Sequence, residues 1–200
     1  MVIIGLTGSI ASGKSTIVNR FRRAKVPIFD SDAEIHKLLG PSGDAVEAVM
    51  SHFGDLRDDH GAIDRPRLGK IVFSDAEALQ KLEGLLHPLI AKKREKFLAI
   101  MQANRKKAVL LDVPLLFETG TDDICDVTMM SWAPDYIIYQ RAMRRPHMTA
   151  QKLAGILAKQ LSQQRKKQLA DVVIPTGLGY ATMTLKLKKT LKQWQICSKF

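Results

Sequence analysis

Two hundred residues, 46% of them hydrophobic, suffice for one sizeable core with room for a smaller helical appendage, and no stretch approaches the 18 or more apolar residues of a membrane span. The formal net charge of +11 implies polyanionic partners, yet aromatics are only 6% and no nucleic-acid motif accompanies the charge. The expectation is a cytoplasmic protein that opens on a core strand rather than a leader, with no nucleic acid, no membrane and no obligate protein partner; a solvated basic surface and phosphate-rich substrates would each account for the charge.

Short apolar runs separated by helical patterns read as crossover units around a parallel sheet, with strands at Val2 to Leu6, Val26 to Phe29, Ala108 to Leu111, Val127 to Ser131 and Val172 to Ile174. Directly after the first run stands Gly8-Ser9-Ile10-Ala11-Ser12-Gly13-Lys14-Ser15-Thr16, a complete G-x-x-x-x-G-K-[ST] loop followed by a helical stretch from Thr16 to Arg23. Strand, loop and helix in that order are the context in which the motif works. Gly8 and Gly13 let successive N–H groups turn inward on phosphate oxygens, and the helix N-terminus adds partial positive charge to the same spot. The spacing predicts a nucleoside triphosphate on Gly8 through Thr16, with Lys14 reaching its β- and γ-phosphates and Ser15 binding Mg2+.

The second strand runs into Phe29-Asp30-Ser31-Asp32. In open α/β sheets ligands bind off the carboxyl ends of the strands, so this pair of carboxylates is placed for a catalytic base. Asp30 reads equally well as a helix N-cap, which leaves Asp32 the better candidate. The long stretch up to Ala108 contains no convincing strand and reads as a helical insertion of three to five helices. Its signals are a capping box at Ser74-Asp75-Ala76-Glu77, first-turn prolines at Pro66 and Pro88, and Leu79, Leu82, Leu85 and Leu86 at helical spacing. Phe53 through Gly61 reads as a polar connecting loop.

The third strand ends in Asp112, the pattern of a carboxylate that holds Mg2+ or its water. Arg141, Arg144 and Arg145 follow the fourth strand, ahead of the bend Pro146-His147-Met148-Thr149, where an arginine-bearing lid could close on a transferring phosphoryl group. Tyr180 to Trp194 reads as a basic amphipathic helix packed on the sheet through Leu185, Leu187, Leu191 and Trp194. The clusters Lys92-Lys93-Arg94, Arg105-Lys106-Lys107, Arg165-Lys166-Lys167 and Lys186 to Lys192 read as solvated surface. Cys125 and Cys197 read as reduced structural thiols, and the histidines show no metal-ligand spacing.

With these residues in view, the chain resembles the dephospho-CoA kinases from Ile4 to Gly177. The shared marks are Gly5-Leu6-Thr7-Gly8 into the loop, Asp30-x-Asp32, Ile63-Asp64-Arg65, Leu86-His87-Pro88-Leu89-Ile90, Asp112-Val113-Pro114-Leu115-Leu116-Phe117-Glu118, the spacing of Arg141 and Arg145, Gln160, and Ala170-Asp171. The resemblance implies a P-loop NTPase type three-layer α/β fold with a five-stranded parallel sheet. Its core would span about 1–32 and 106–200, with a helical acceptor-binding insertion at about 33–105 and a small lid at about 141–165. It implies transfer of the γ-phosphate of ATP, with Mg2+, to the ribose 3'-hydroxyl of dephospho-CoA, completing coenzyme A. Asp32 then matches the general base, Lys14 and Arg145 complete the catalytic set, and Arg141 joins the ATP site. Asp32, Arg65, His87 and Phe117 match the acceptor region. The chain departs from the family pattern at Ser9 and Ala11, where glycine is common, at Ile138 (usually glutamine), at Pro146 (usually aspartate) and at Thr176 (usually asparagine).

Overall fold

The computed structural model describes residues 1–194, which form two compact units: Met1–Phe29 with Met101 onward, and Asp30–Ile100. The first unit is built on a five-stranded sheet of β1 (Val2–Gly8), β2 (Ile28–Asp30), β3 (Ala108–Asp112), β4 (Val127–Trp132) and β5 (Val172–Pro175), in the order β2-β3-β1-β4-β5. β1 pairs in parallel with β3 and β4, and β4 with β5, so that Leu6 stands opposite both Asp112 and Met129. A strand flanked on both sides and covered on both faces needs no polar alternation, and β3 is accordingly buried at every position.

Even-numbered residues of β1 and β3 form one face of the sheet. There Ile4, Leu6 and Leu110 pack against Ile17, Val18 and Phe21 of α1 (Lys14–Arg23) and against Met183, Leu187 and Leu191 of α9 (Tyr180–Gln193). Truncating a fully buried side chain such as Phe21 would cost about 3–5 kcal/mol. On the opposite face Gly5 admits Leu116 and Cys125, since an added Cβ would stand 2.8 Å from Cys125 Sγ. The Cys125 thiol donates to Thr121 O at 3.4 Å, while Cys197 lies outside the described residues. The remaining helices of this unit are α6 (Asp135–Met143), α7 (Ala150–Ala158) and α8 (Gln163–Leu169).

Two expectations for this unit fail for geometric reasons. Leu185 is not a core contact: it is 71% exposed, because it sits two residues from both Met183 and Leu187 and a helix of 3.6 residues per turn sends it to the opposite side. Lys166 is not solvated surface. It is fully buried, its ammonium 2.9 Å from Glu118 Oε1 and donating to Pro114 O at 2.9 Å.

The second unit contains α2 (Ser31–Leu38), α3 (Val46–Phe53), α4 (Arg65–Ser74) and α5 (Ala76–Ala103), whose last residues belong to the first unit. The polar loop after Phe53 closes through one isolated antiparallel bridge between Arg57 and Ile63. Pro66 occupies the first turn of α4, where its missing N–H costs nothing. Pro88 does not start a helix but stands inside α5, so His87 is likewise mid-helix. The cap before α5 is also shifted from expectation. Ser74 closes α4 by donating its hydroxyl to Lys70 O and Ile71 O, and Asp75 accepts from Glu77 N at 2.9 Å and from Ala78 N at 3.3 Å. Between α3 and α5, Lys93 lies 2.8 Å from Asp44, and its hydrogen bond and charge hold that exposed carboxyl below the ordinary range.

Candidate active site

The loop Gly8 to Thr16 joins the end of β1 to the start of α1, and two glycines make its path possible. An added Cβ at Gly8 would stand 2.0 Å from Ser131 Oγ and 2.6 Å from Ser12 Oγ. Gly13 takes a left-handed backbone, φ 91°, and a side chain there would also meet Thr176 at 2.9 Å. The turn is held by Ser12 N donating to Ser9 O at 3.1 Å, Thr16 N donating to Gly13 O at 3.0 Å, and a 2.6 Å bond between the Ser12 and Ser131 hydroxyls. α1 has no side-chain cap and no acidic residue in its first turn. No side chain of the helix competes for its leading N–H groups, which together with the helix dipole make an anion site.

Lys14 Nζ forms an ion pair with Asp112 Oδ1, and both side chains are largely buried, 18% and 9% exposed. β3 thus delivers its terminal carboxylate to the corner occupied by the loop lysine. Ser15 and Thr16 are exposed. Among the described residues no group of three or more His, Cys, Asp or Glu could hold a metal by itself. That is no obstacle for Mg2+, which takes one or two carboxylates and fills its other positions with substrate phosphates and water. A hydroxyl at Ser15 and a carboxylate at Asp112 are a donor set of that kind.

Three residues beyond the loop tie it down. Thr176 is 7% exposed, and its hydroxyl lies within hydrogen-bonding reach of Ser12 O and 3.0 Å from Trp132 O. Arg141 donates from Nη2 to Thr176 O at 2.8 Å and from Nη1 to Thr176 Oγ1 at 3.4 Å, so the predicted ATP-site arginine is coupled to the loop through this threonine. Gln160 Oε1 accepts from Ile10 N at 3.3 Å. Just beyond it, Leu161 N donates to Glu118 Oε1 at 2.8 Å, and the same oxygen faces the buried Lys166. Thr7 donates its hydroxyl to Pro114 O at 2.9 Å, the carbonyl that also receives Lys166. The segment Pro114 to Glu118 is therefore anchored to β1, α8 and the α7–α8 connection at once.

Not all predicted residues fall in this unit. The first unit brings together the loop, Asp112 and Arg141. Phe117 is half-buried in the turn after β3, and Arg145 is exposed just past the C-cap of α6, Arg144. Asp32, Arg65 and His87 belong to the second unit, exposed on α2, α4 and α5. Asp30 takes the capping role, accepting from Ala33 N at 3.0 Å. Arg65 Nη1 donates to His36 Nδ1 at 3.3 Å. Sequence reasoning missed Ser131 and Lys166 and saw Thr176 only as a departure. A lysine inside a basic run gives no sign that it alone turns inward.

A parallel sheet with a phosphate loop after its central strand, a helix opening at the loop lysine and a strand-end carboxylate beside it defines the P-loop kinase class. The profile of the dephospho-CoA kinase family matches residues 2–178. The dephospho-CoA kinase of Rhodospirillum rubrum is 47% identical over 178 residues, covering 89% of this chain and 84% of that protein. A crystal structure of a Thermus thermophilus protein superposes with a TM-score of 0.83 at 28% identity, covering 96% of this chain and 97% of the other. The dephospho-CoA kinase from Campylobacter jejuni shares the fold, with a TM-score of 0.65 at 24% identity and 96% of each chain covered. The chain belongs to the dephospho-CoA kinase family.

Proposed function

We propose that this protein transfers the γ-phosphoryl group of ATP to the ribose 3'-hydroxyl of dephospho-CoA, releasing ADP and coenzyme A. Family membership over residues 2–178, with a complete phosphate loop in working context, is the observation that carries this reading. The loop N–H groups and the start of α1 hold the β- and γ-phosphates, and Lys14 exchanges its ion pair with Asp112 for the phosphate oxygens. Asp112 and Ser15 would hold Mg2+, which when bound would offset negative charge on the triphosphate. Asp32 accepts the proton of the 3'-hydroxyl as its oxygen bonds to the γ-phosphorus and the bond to the β,γ-bridging oxygen breaks. Arg141 and Arg145 neutralise the spreading charge, and residues 141–165 serve as the lid. Arg65, His87 and Phe117 bind the acceptor.

The test is formation of ADP and coenzyme A from Mg-ATP by the purified chain with dephospho-CoA, against adenosine, nucleoside monophosphates and no acceptor. Turnover with dephospho-CoA alone is expected, whereas equal ADP release with every acceptor would replace the kinase by a hydrolase. Asp32→Asn is expected to lower kcat by about two to four decades with little change in ATP binding. A rise in the acceptor KM alone would make Asp32 a positioning residue.

A further inference from the structure

The basic surplus of the chain is not absorbed by the nucleotide loop, and its distribution is uneven. Residues 14–27 and 172–194 contain no aspartate or glutamate at all. These two segments supply α1 and α9, which pack into one apolar cluster on the same face of the sheet, with Arg20 stacked 5.8 Å from the Tyr180 ring. Apart from Lys14 and Arg20, their cations point outward. Arg22, Arg23 and Lys25 at the end of α1, and Lys186, Lys188, Lys189 and Lys192 on α9, are all exposed. Both helices begin at the carboxyl ends of strands, beside the phosphate loop, and run back toward the opposite edge. The cations therefore gather away from the loop. Lys106 and Lys107, also exposed, continue the charge where β3 enters the sheet. The carboxylates at the starts of β4 and β5 are engaged by backbone: Asp126 accepts from Ile3 N at 2.7 Å and Asp171 from Thr128 N at 2.8 Å.

Within this field stands Leu185, 71% exposed and directly followed by Lys186, Lys188 and Lys189; Leu178, 66% exposed, lies just before the helix. An apolar side chain in water amid lysines does nothing for a phosphodiester backbone. At a bilayer it enters the headgroup boundary while the lysine stems extend along it and keep their ammonium groups among anionic headgroups. Arg20 lies over one side of the half-exposed Tyr180 ring, and among the described residues α1 and α9 present no other exposed aromatic ring, which is too little for stacking a run of bases. Against the expectation of no membrane partner, we propose that the α1/α9 face is a peripheral docking surface for an anionic lipid bilayer, held by its lysines and arginines and by insertion of Leu185. The proposal does not depend on the identity of the kinase substrate.

The test is co-sedimentation of the full chain with vesicles of pure phosphatidylcholine and of phosphatidylcholine with about one-third phosphatidylglycerol, at low and physiological salt. Binding to the anionic vesicles alone is expected, weakening with salt. The variant K186E/K188E/K189E/K192E is expected to reduce it by at least about tenfold and Leu185→Ala by about two- to fivefold, with kcat and melting temperature near those of the unmodified chain as proof of folding. Equal binding to both vesicle types, or to neither, overturns the proposal, as does a charge-reversal variant that still binds. Full binding by Leu185→Ala overturns the insertion. Binding of a single-stranded oligonucleotide in place of vesicles assigns the face to nucleic acid instead.

Discussion

Ala11, Ile138 and Thr176, singled out in the sequence as departures from the pattern the resemblance implies, sit around the phosphate loop. Ala11 holds a left-handed backbone, φ 59°, in which glycine is at ease, and its methyl is buried in the cluster that contains Ile138, Ala142 and Leu153. The methyl at 11 and the apolar side chain at 138 on α6 thus share one buried cluster. Thr176 links Ser12 O and Arg141, a role that needs a short hydroxyl in this backbone setting. Thr176→Ala is expected to raise the KM for ATP about three- to tenfold, the worth of roughly one hydrogen bond, with Thr176→Ser restoring it; steady-state kinetics check both. Lys166 makes a different kind of prediction. Lys166→Met leaves Glu118 as an uncompensated, largely buried carboxylate and should destabilise the protein by about 3–5 kcal/mol in chemical denaturation. Lys166→Met with Glu118→Leu should recover most of that loss, because the pair's desolvation then disappears with its attraction.

At the scale of elements, β1, the loop and α1 form one continuous device. β1 is fixed by neighbours on both sides, α1 by Ile17, Val18 and Phe21, and the loop between them has little freedom left. α5 is the element with an internal fault. Pro88 cannot donate to the carbonyl of Gly84, yet the 28-residue helix continues through it, and Leu82, Leu86 and Ile90 stay buried on either side. Burial of that stripe outweighs the local defect. Pro88 is exposed, so Pro88→Ala should restore the hydrogen bond without disturbing packing and stabilise the protein by about 1–3 kcal/mol, read as a rise in Tm. A lower Tm would mean that the proline ring itself is required by its surroundings.

For the whole molecule the net charge of +11 sets the electrostatic behaviour. Both proposed substrates are polyanions, so the positive field should raise their encounter rate and lose that advantage as salt shortens the Debye length to about 8 Å at physiological ionic strength. kcat/KM for ATP and dephospho-CoA should therefore fall as KCl is raised from low to physiological concentration, with kcat changing much less. A flat profile would mean that the cations are too far from the site to act on it.

The amino-acid sequence alone determined the sheet, the phosphate loop and its lysine, the strand-end Asp112 and the helical character of the insertion. Each of these is written in neighbouring residues: an apolar run, a fixed glycine spacing, a periodic leucine pattern. Strand limits moved by a residue or two, as at β2, which begins after Pro27. Tertiary structure decided what depends on partners distant along the chain. Lys166 and Lys167 are adjacent, but only Lys166 meets Glu118; Leu185 and Leu187 share a helix, but only Leu187 faces the sheet. Ser131, Gln160 and Thr176 are separated from the loop by more than a hundred residues, and only the assembled sheet with its helices brings their polar atoms to it. Local sequence selects which element forms; burial, which selects what each side chain does, is a property of the packed whole.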